Sequence, residues 1–74
     1  MRLRKAVAAN LKRLRLAAKL SQEELAHRAD MDRTYVSSLE RGNYAATVDM
    51  LERIADALGV EPVELLRSNG ATTE

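Results

Sequence analysis

The chain has 74 residues, a length that allows one small domain folded around a single core. It has no cysteine and one histidine, which argues against disulfides, thiolate zinc sites, cysteine nucleophiles and imidazole metal clusters. The formal net charge of +1 is unevenly spread, with +7 over residues 1–20, −2 over 21–41 and −4 over 42–74, so the N-terminal part suits a polyanion.

The first predicted helix begins near Leu3 and carries one apolar stripe. Leucine and alanine, with 11 and 12 residues, dominate the apolar content and favour helices. The members of the stripe recur every three or four residues, at Val7, Leu11, Leu14 and Ala18. This period predicts an amphipathic helix of roughly 16–18 residues.

The second predicted helix opens on a capping box. Ser21 supplies a hydroxyl N-cap, and Glu24 follows three residues later. The inward face then consists of Leu25, Ala26 and Ala29. These signals predict a short helix with a small apolar face.

The third predicted helix follows at once and runs from 33 to 41. The Asp-Met-Asp run at 30–32 breaks the second helix, and Asp32 can cap the third. Gly42 ends the third helix, because glycine accepts the left-handed conformation at a helix C-terminus. Two short helices joined by so tight a turn have the proportions of a helix-turn-helix.

Two further helices complete the pattern. Thr47 can cap a fourth helix that ends at Gly59, and Pro62 can open a fifth, since proline loses no hydrogen bond in the first turn. The apolar residues of the fourth helix are Val48, Leu51, Ile54, Ala55 and Leu58, and those of the fifth are Val63, Leu65 and Leu66. We therefore expect one domain over 1–67 and a flexible polar tail over 68–74.

The third predicted helix presents a row of short polar and basic side chains. Its apolar contacts are Met31, Val36 and Leu39. The outward row consists of Arg33, Thr34, Ser37, Ser38 and Arg41. Arginine can donate two hydrogen bonds to guanine, and serine and threonine can bond a base edge. Such a surface fits the major groove of DNA.

Three short motifs occur in order along the chain. They are Leu-Ser-Gln-Glu-Glu-Leu-Ala at 20–26, Asp-Arg-Thr-Tyr-Val-Ser at 32–37 and Leu-Glu-Arg-Gly at 39–42. Together they resemble the lambda-repressor-like helix-turn-helix domains of the Xre family, over residues 5–66. The hexapeptide at 32–37 is most similar to the controller proteins of restriction-modification systems. The resemblance implies a compact, all-α, five-helix DNA-binding domain with its helix-turn-helix in the second and third helices.

The resemblance also implies roles for individual residues. The residues expected to read bases are Arg33, Thr34, Ser37 and Ser38, and those expected on the DNA backbone are Gln22, Tyr35, Arg41 and Asn43. Arg15 and Glu40 would form a partly buried ion pair that locks the first helix onto the third. Packing alone also explains Tyr35, and a helix start also explains Gln22. His27 is expected to be exposed without a ligand role.

A dimer is expected, because one module of this size buries only about 600–1,000 Å² on DNA. Adjacent residues of a helix point about 100° apart, so Leu65 and Leu66 cannot both face one small core. One of the two leucines, with Val60 and Val63, forms the predicted two-fold interface. A symmetric dimer places its recognition helices about 34 Å apart and reads a pseudo-palindrome.

The sequence thus predicts a sequence-specific DNA-binding transcriptional regulator that controls restriction-modification genes, including its own. It does not predict an enzyme, since the chain has no glycine-rich phosphate loop, no cluster of metal ligands and no nucleophile arrangement. An antitoxin or a phage-type repressor of the same fold remains an alternative. Only seven residues follow position 67, which weighs against an antitoxin with an added partner-binding segment.

The expected partners follow from this interpretation. They are a double-stranded DNA operator, a second copy of the chain and, as a further candidate, RNA polymerase. No cofactor and no metal are expected. No apolar run exceeds four residues, so we expect no membrane partner and a cytoplasmic location.

Overall fold

The computed structural model describes residues 2–67 and forms five α-helices and no strand within that range. The helices are α1 (Arg2–Ala17), α2 (Gln22–Arg28), α3 (Arg33–Glu40), α4 (Val48–Leu58) and α5 (Val63–Leu66). The prediction of an all-α, five-helix domain is confirmed. None of these helices combines the length and apolar character that a membrane crossing requires. The tail predicted over 68–74 lies outside the described residues.

Polar caps begin three of the helices, as predicted. At α2, the Ser21 hydroxyl accepts the Glu24 N–H at 3.0 Å, and the Glu24 carboxylate accepts the Ser21 N–H at 2.8 Å. At α3, the Asp32 carboxylate accepts the Thr34 N–H at 2.9 Å. Thr47 caps α4 through its hydroxyl in the same way. Each bond satisfies a donor that the first helical turn leaves without a partner.

A residue with a left-handed backbone conformation follows each of the first four helices. The φ angles are 60° at Lys19, 56° at Asp30, 74° at Gly42 and 71° at Gly59. A side chain in this region costs about 1–2 kcal/mol, so glycine marks such positions in a sequence whereas lysine and aspartate do not. The end of α3 lies one residue before the predicted end, with Arg41 as its C-cap.

All five helices contribute to one core. Its largest fully buried members are Leu11, Leu25, Val36, Leu39, Ile54 and Leu65. Some predicted apolar positions lie outside it, among them Val63, which is 52% exposed. Val48 is 78% exposed because it is the first residue of α4, where Met50 turns inward instead, and Ala18 is exposed because α1 ends at Ala17. Helix α1 packs on α3 and α5, and α2 packs on α3 and α4, so the α2–α3 pair is held by α1 and α4.

A buried asparagine joins α1 to the far end of the described chain. Asn10 is fully buried, and its Nδ2 donates to the carbonyl oxygens of Leu65 at 3.0 Å and Arg67 at 2.7 Å. The last turn of a helix leaves such carbonyls without an intrahelical donor. Arg13 Nη2 in turn donates to Asn10 Oδ1 at 3.2 Å. Asn10 therefore anchors α5, whose four residues are too few for a stable helix on their own.

Candidate nucleic-acid interface

Helix α3 turns its polar row away from the core. Val36 and Leu39 anchor the opposite side and are 0% and 1% exposed. The predicted base-reading residues are Arg33 and Thr34, which are exposed, and Ser37 and Ser38, which are half-buried. All four belong to one helix that begins at the Asp32 cap. The structure therefore brings them together on one accessible surface.

Arg41 lies back along α3 over two of these residues. Its Nη1 donates to Ser37 Oγ at 2.5 Å, and its Nη2 donates to Ser38 Oγ at 3.4 Å. Asn43 is exposed in the loop that follows, and its backbone N–H donates to the Ser38 carbonyl at 3.1 Å. Two positions expected on the DNA backbone thus lie beside the two serines expected to read bases.

Tyr35, another position expected on the DNA backbone, packs against an aromatic ring that sequence reasoning missed. The ring centroids of Tyr35 and Tyr44 are 5.5 Å apart and their planes meet at 40°. Such tilted pairs contribute about 0.5–1.5 kcal/mol beyond the area they bury. The two side chains remain 44% and 39% exposed. Tyr35 therefore has a packing partner and still offers an accessible surface.

Arg15 and Glu40 form the ion pair that the resemblance implies. Arg15 Nε donates to Glu40 Oε2 at 2.5 Å, and its Nη2 donates to Oε1 at 3.0 Å. The side chains are only 10% and 4% exposed. A third bond runs from Arg15 Nη1 to the Leu20 carbonyl at 2.8 Å. The hydrogen bonds to Glu40 raise the pKa of the Arg15 guanidinium, which outweighs the opposing effect of its burial. The pair holds α1 against α3.

Gln22 joins this pair. It is the first residue of α2, is half-buried, and donates from Nε2 to Glu40 Oε1 at 3.0 Å. An amide nitrogen carries two hydrogens, so one of them remains for an acceptor such as a phosphate oxygen. The position expected to bind the DNA backbone is thereby tied to α3.

The acidic side chains that flank the polar row of α3 are already hydrogen-bonded within the protein. Glu40 accepts from Arg15 and Gln22, and the Thr34 N–H lowers the pKa of Asp32 by donating to its carboxylate. The exposed acids beyond Gly42 lie on or between α4 and α5, at Asp49, Glu52, Asp56 and Glu61. Among residues 2–67, acidic and histidine side chains form no group that could hold a metal ion. Basic residues outnumber acidic ones only over residues 1–20, so the attraction for a polyanion comes mainly from α1, which packs on α3.

Arg53 ties the turn between α2 and α3 to α4. Its Nη1 donates to the carbonyl oxygen of Asp30 at 2.7 Å. Asp30 is the left-handed residue of that turn, so the bond fixes the point at which the chain changes direction. Sequence reasoning missed Arg53, because one arginine among acidic residues on α4 reads as an ordinary exposed charge.

The two adjacent leucines of α5 have different surroundings. Leu65 is fully buried in the core, whereas Leu66 is half-buried and lines an apolar groove with residues of α1, α4 and the loop before α4. Val63 is 52% exposed, and Val60 is half-buried against the core. Of the residues expected at a two-fold interface, Leu65 therefore belongs to the core and the other three retain accessible surface.

Comparison with known proteins gives matches over most of the chain. The profile of the helix-turn-helix family HTH_3 matches residues 11–65. Control protein C.BamHI of Bacillus amyloliquefaciens is 44% identical over 57 residues, which cover 76% of this chain and 70% of that protein. The crystal structure of hypothetical transcription factor NHTF from Neisseria is similar with a TM-score of 0.89 and 39% identity, over 93% of this chain and 79% of that one. The restriction-modification controller protein C.AhdI from Aeromonas hydrophila has a TM-score of 0.81 and 39% identity, over 84% of this chain and 94% of its own.

Proposed function

The chain belongs to the helix-turn-helix family HTH_3 and is a DNA-binding transcriptional regulator rather than an enzyme, and from this membership we propose that it binds a pseudo-palindromic operator as a homodimer. The single observation that carries the proposal is the outward row of α3. Arg33 and Thr34 are exposed at its start, and Ser37 and Ser38 follow one turn later. Guanidinium and hydroxyl groups are the donors that read base edges in the major groove.

The genes under control are, in our proposal, those of a restriction-modification system, including the regulator's own gene. The support is similarity to proteins of that kind, namely control protein C.BamHI and controller protein C.AhdI. Because the proposed operator is cellular DNA, we place the site of action in the cytoplasm. RNA polymerase is the further proposed partner, because a regulator that activates from an operator beside a promoter has to raise the occupancy of the polymerase there.

The proposed dimer places Val60, Val63 and Leu66 at its two-fold interface. Val63 exposes half of its side chain, and Leu66 lines an apolar groove. A second copy doubles the surface of about 600–1,000 Å² that a single module buries on DNA. It also repeats the reading surface at a spacing of about 34 Å, one turn of the duplex.

The decisive experiment selects an operator from random duplex DNA with the wild-type protein and measures binding to single-base variants at one salt concentration. Arg33→Ala should lose about 1–3 kcal/mol per half-site and relax the preference at one guanine, because a bidentate arginine reads O6 and N7. Arg28→Ala, which removes an exposed arginine from the C-terminal end of α2, is the matched control and should leave the preference unchanged. If no operator emerges, or if Arg33→Ala weakens every sequence equally, the proposed role of α3 is wrong.

A further inference from the structure

The contact of Arg41 with Ser37 and Ser38 can affect which DNA bases the protein prefers, in addition to any contact of Arg41 with a phosphate. Arg41 closes the C-terminal end of α3 and spans Ser37 and Ser38 with two different nitrogens of one guanidinium. Both serines belong to the proposed base-reading row. The arginine therefore holds two hydroxyl groups of the proposed base-reading row.

The direction of these hydrogen bonds is fixed by chemistry. A guanidinium has five N–H donors and no acceptor, so each serine oxygen must act as the acceptor toward Arg41. The hydroxyl hydrogens of Ser37 and Ser38 then point elsewhere. Within residues 2–67, neither hydroxyl donates to a backbone carbonyl of α3. Each hydroxyl keeps its hydrogen and one lone pair, and the bond from the cationic guanidinium polarises it toward donation.

A hydroxyl on its own can serve a base edge as donor or as acceptor, and so it discriminates poorly between bases. Acceptors in the major groove are guanine N7 and O6, adenine N7 and thymine O4, whereas the amino groups of adenine and cytosine are donors. A serine polarised toward donation favours the first set over the second, because only one of its lone pairs is left to accept from an amino group. The contact with Arg41 thus makes an ambiguous group more selective.

We propose that Arg41 is a positioning residue that orients Ser37 and Ser38 toward hydrogen-bond donation, so that the row on α3 favours base edges rich in acceptors. The inference rests on the proposed function of α3. It leaves room for a phosphate contact, since three of the five N–H donors of Arg41 remain available. The guanidinium acts on the sequence preference through the serines and on the overall affinity through its charge.

The experiment compares Arg41→Lys, Ser37→Ala, Ser38→Ala and their combinations against the selected operator and its single-base variants. Lysine keeps the positive charge but cannot span both serines with two nitrogens. Arg41→Lys should reduce discrimination by about 3- to 10-fold, the value of one hydrogen bond, at the same base pairs that the serine variants affect. Adding Arg41→Lys to the double serine variant should change discrimination no further. The salt dependence of binding should stay the same, because the charge is kept.

Arg28→Lys, at an exposed position of α2, is the matched control and should leave the preference profile unchanged. Arg41 is exposed and lies outside the core, so its variants should fold, and thermal melts establish that they do. The proposal is overturned if Arg41→Lys weakens all sequences equally, if its effect adds in full to that of the serine variants, or if the serine variants leave a strong wild-type preference intact. A wild-type protein without any operator preference would instead refute the proposed function itself.

Discussion

Arg15 on α1 and Glu40 on α3 are joined by two parallel hydrogen bonds, of 2.5 and 3.0 Å, in a setting where both side chains are almost excluded from solvent. A buried guanidinium loses its hydration, and the carboxylate offsets this desolvation cost only while the two hydrogen bonds keep their alignment. The pair therefore contributes to holding α3 in place, and removing one member leaves a charge without a partner.

Glu40→Ala should lower the free energy of unfolding by about 2–4 kcal/mol, because it leaves the Arg15 guanidinium buried and unpaired. The substitution also removes the acceptor of Gln22. Urea denaturation followed by circular dichroism measures the change. Glu52→Ala, an exposed glutamate on α4, is the matched control and should cost little. Equal denaturation midpoints for the two variants would contradict a stabilising role for the pair.

Asn10→Ala should destabilise the domain by about 1–3 kcal/mol, because two carbonyl oxygens at the end of α5 lose their donor in a buried site. Asn43→Ala, at an exposed position, serves as the control. Hydrogen exchange adds a local measurement, since protection of the amides of 63–66 should fall more than that of α2. Uniform loss of protection in all five helices would argue that Asn10 has no particular effect on α5.

Leu65→Glu should unfold the domain, because it introduces a charge at a fully buried position. Leu66→Glu should yield a folded monomer, because Leu66 is half-buried in the groove that we assign to the two-fold interface. Sedimentation equilibrium and circular dichroism distinguish the two results. The interface assignment fails if the wild-type protein is monomeric at tens of micromolar and on DNA, or if the Leu66→Glu protein remains a dimer.

The N-caps predict how stability depends on pH. The Ser21 N–H lowers the pKa of Glu24, and the Thr34 N–H lowers that of Asp32. A carboxyl group with a depressed pKa in the folded state binds fewer protons than it does unfolded, so its contribution is complete above its unfolded pKa and is lost as the pH falls through its folded pKa. The melting temperature should therefore decline from about pH 5 to pH 3.

The variant Glu24→Gln/Asp32→Asn isolates this effect, because glutamine and asparagine keep the capping bonds without titrating. Its melting temperature should decline less steeply over the same interval than that of the wild type. The other carboxylates titrate in both proteins, so the difference between the curves belongs to the two caps. Parallel curves would mean that neither cap titrates with a lowered pKa.

Local signals in the sequence were sufficient for the helices. Ser21, Asp32 and Thr47 begin helices because a short polar side chain next to the first turn satisfies its N–H groups, and this chemistry needs no tertiary context. The resemblance to the Xre family is confirmed by the match over residues 11–65. The residues of the α3 row lie on one surface, as the helical period predicts, while their contacts with bases remain predictions.

Polar contacts between residues far apart in the chain could not be predicted from local sequence signals. Asn10 and Leu65 are 55 residues apart in the chain, and Gln22 and Glu40 are 18 apart. Nothing in the sequence around Asn10 distinguishes it from an exposed amide, because its burial depends on where α5 lies. The left-handed conformation of Lys19 likewise has no local signal, because lysine does not mark such a position as glycine does.

Glu40 accepts hydrogen bonds from α1 and α2 while it belongs to α3, so one carboxylate links the three helices. A reading surface held in this way has little freedom to lose on association, and the entropic cost of ordering the protein is correspondingly small. It also has little freedom to adapt. In the proposed complex, a half-site whose groove departs from the preferred width would therefore have to be deformed itself, and the stiffness of DNA at base pairs that the protein never touches would become part of the discrimination.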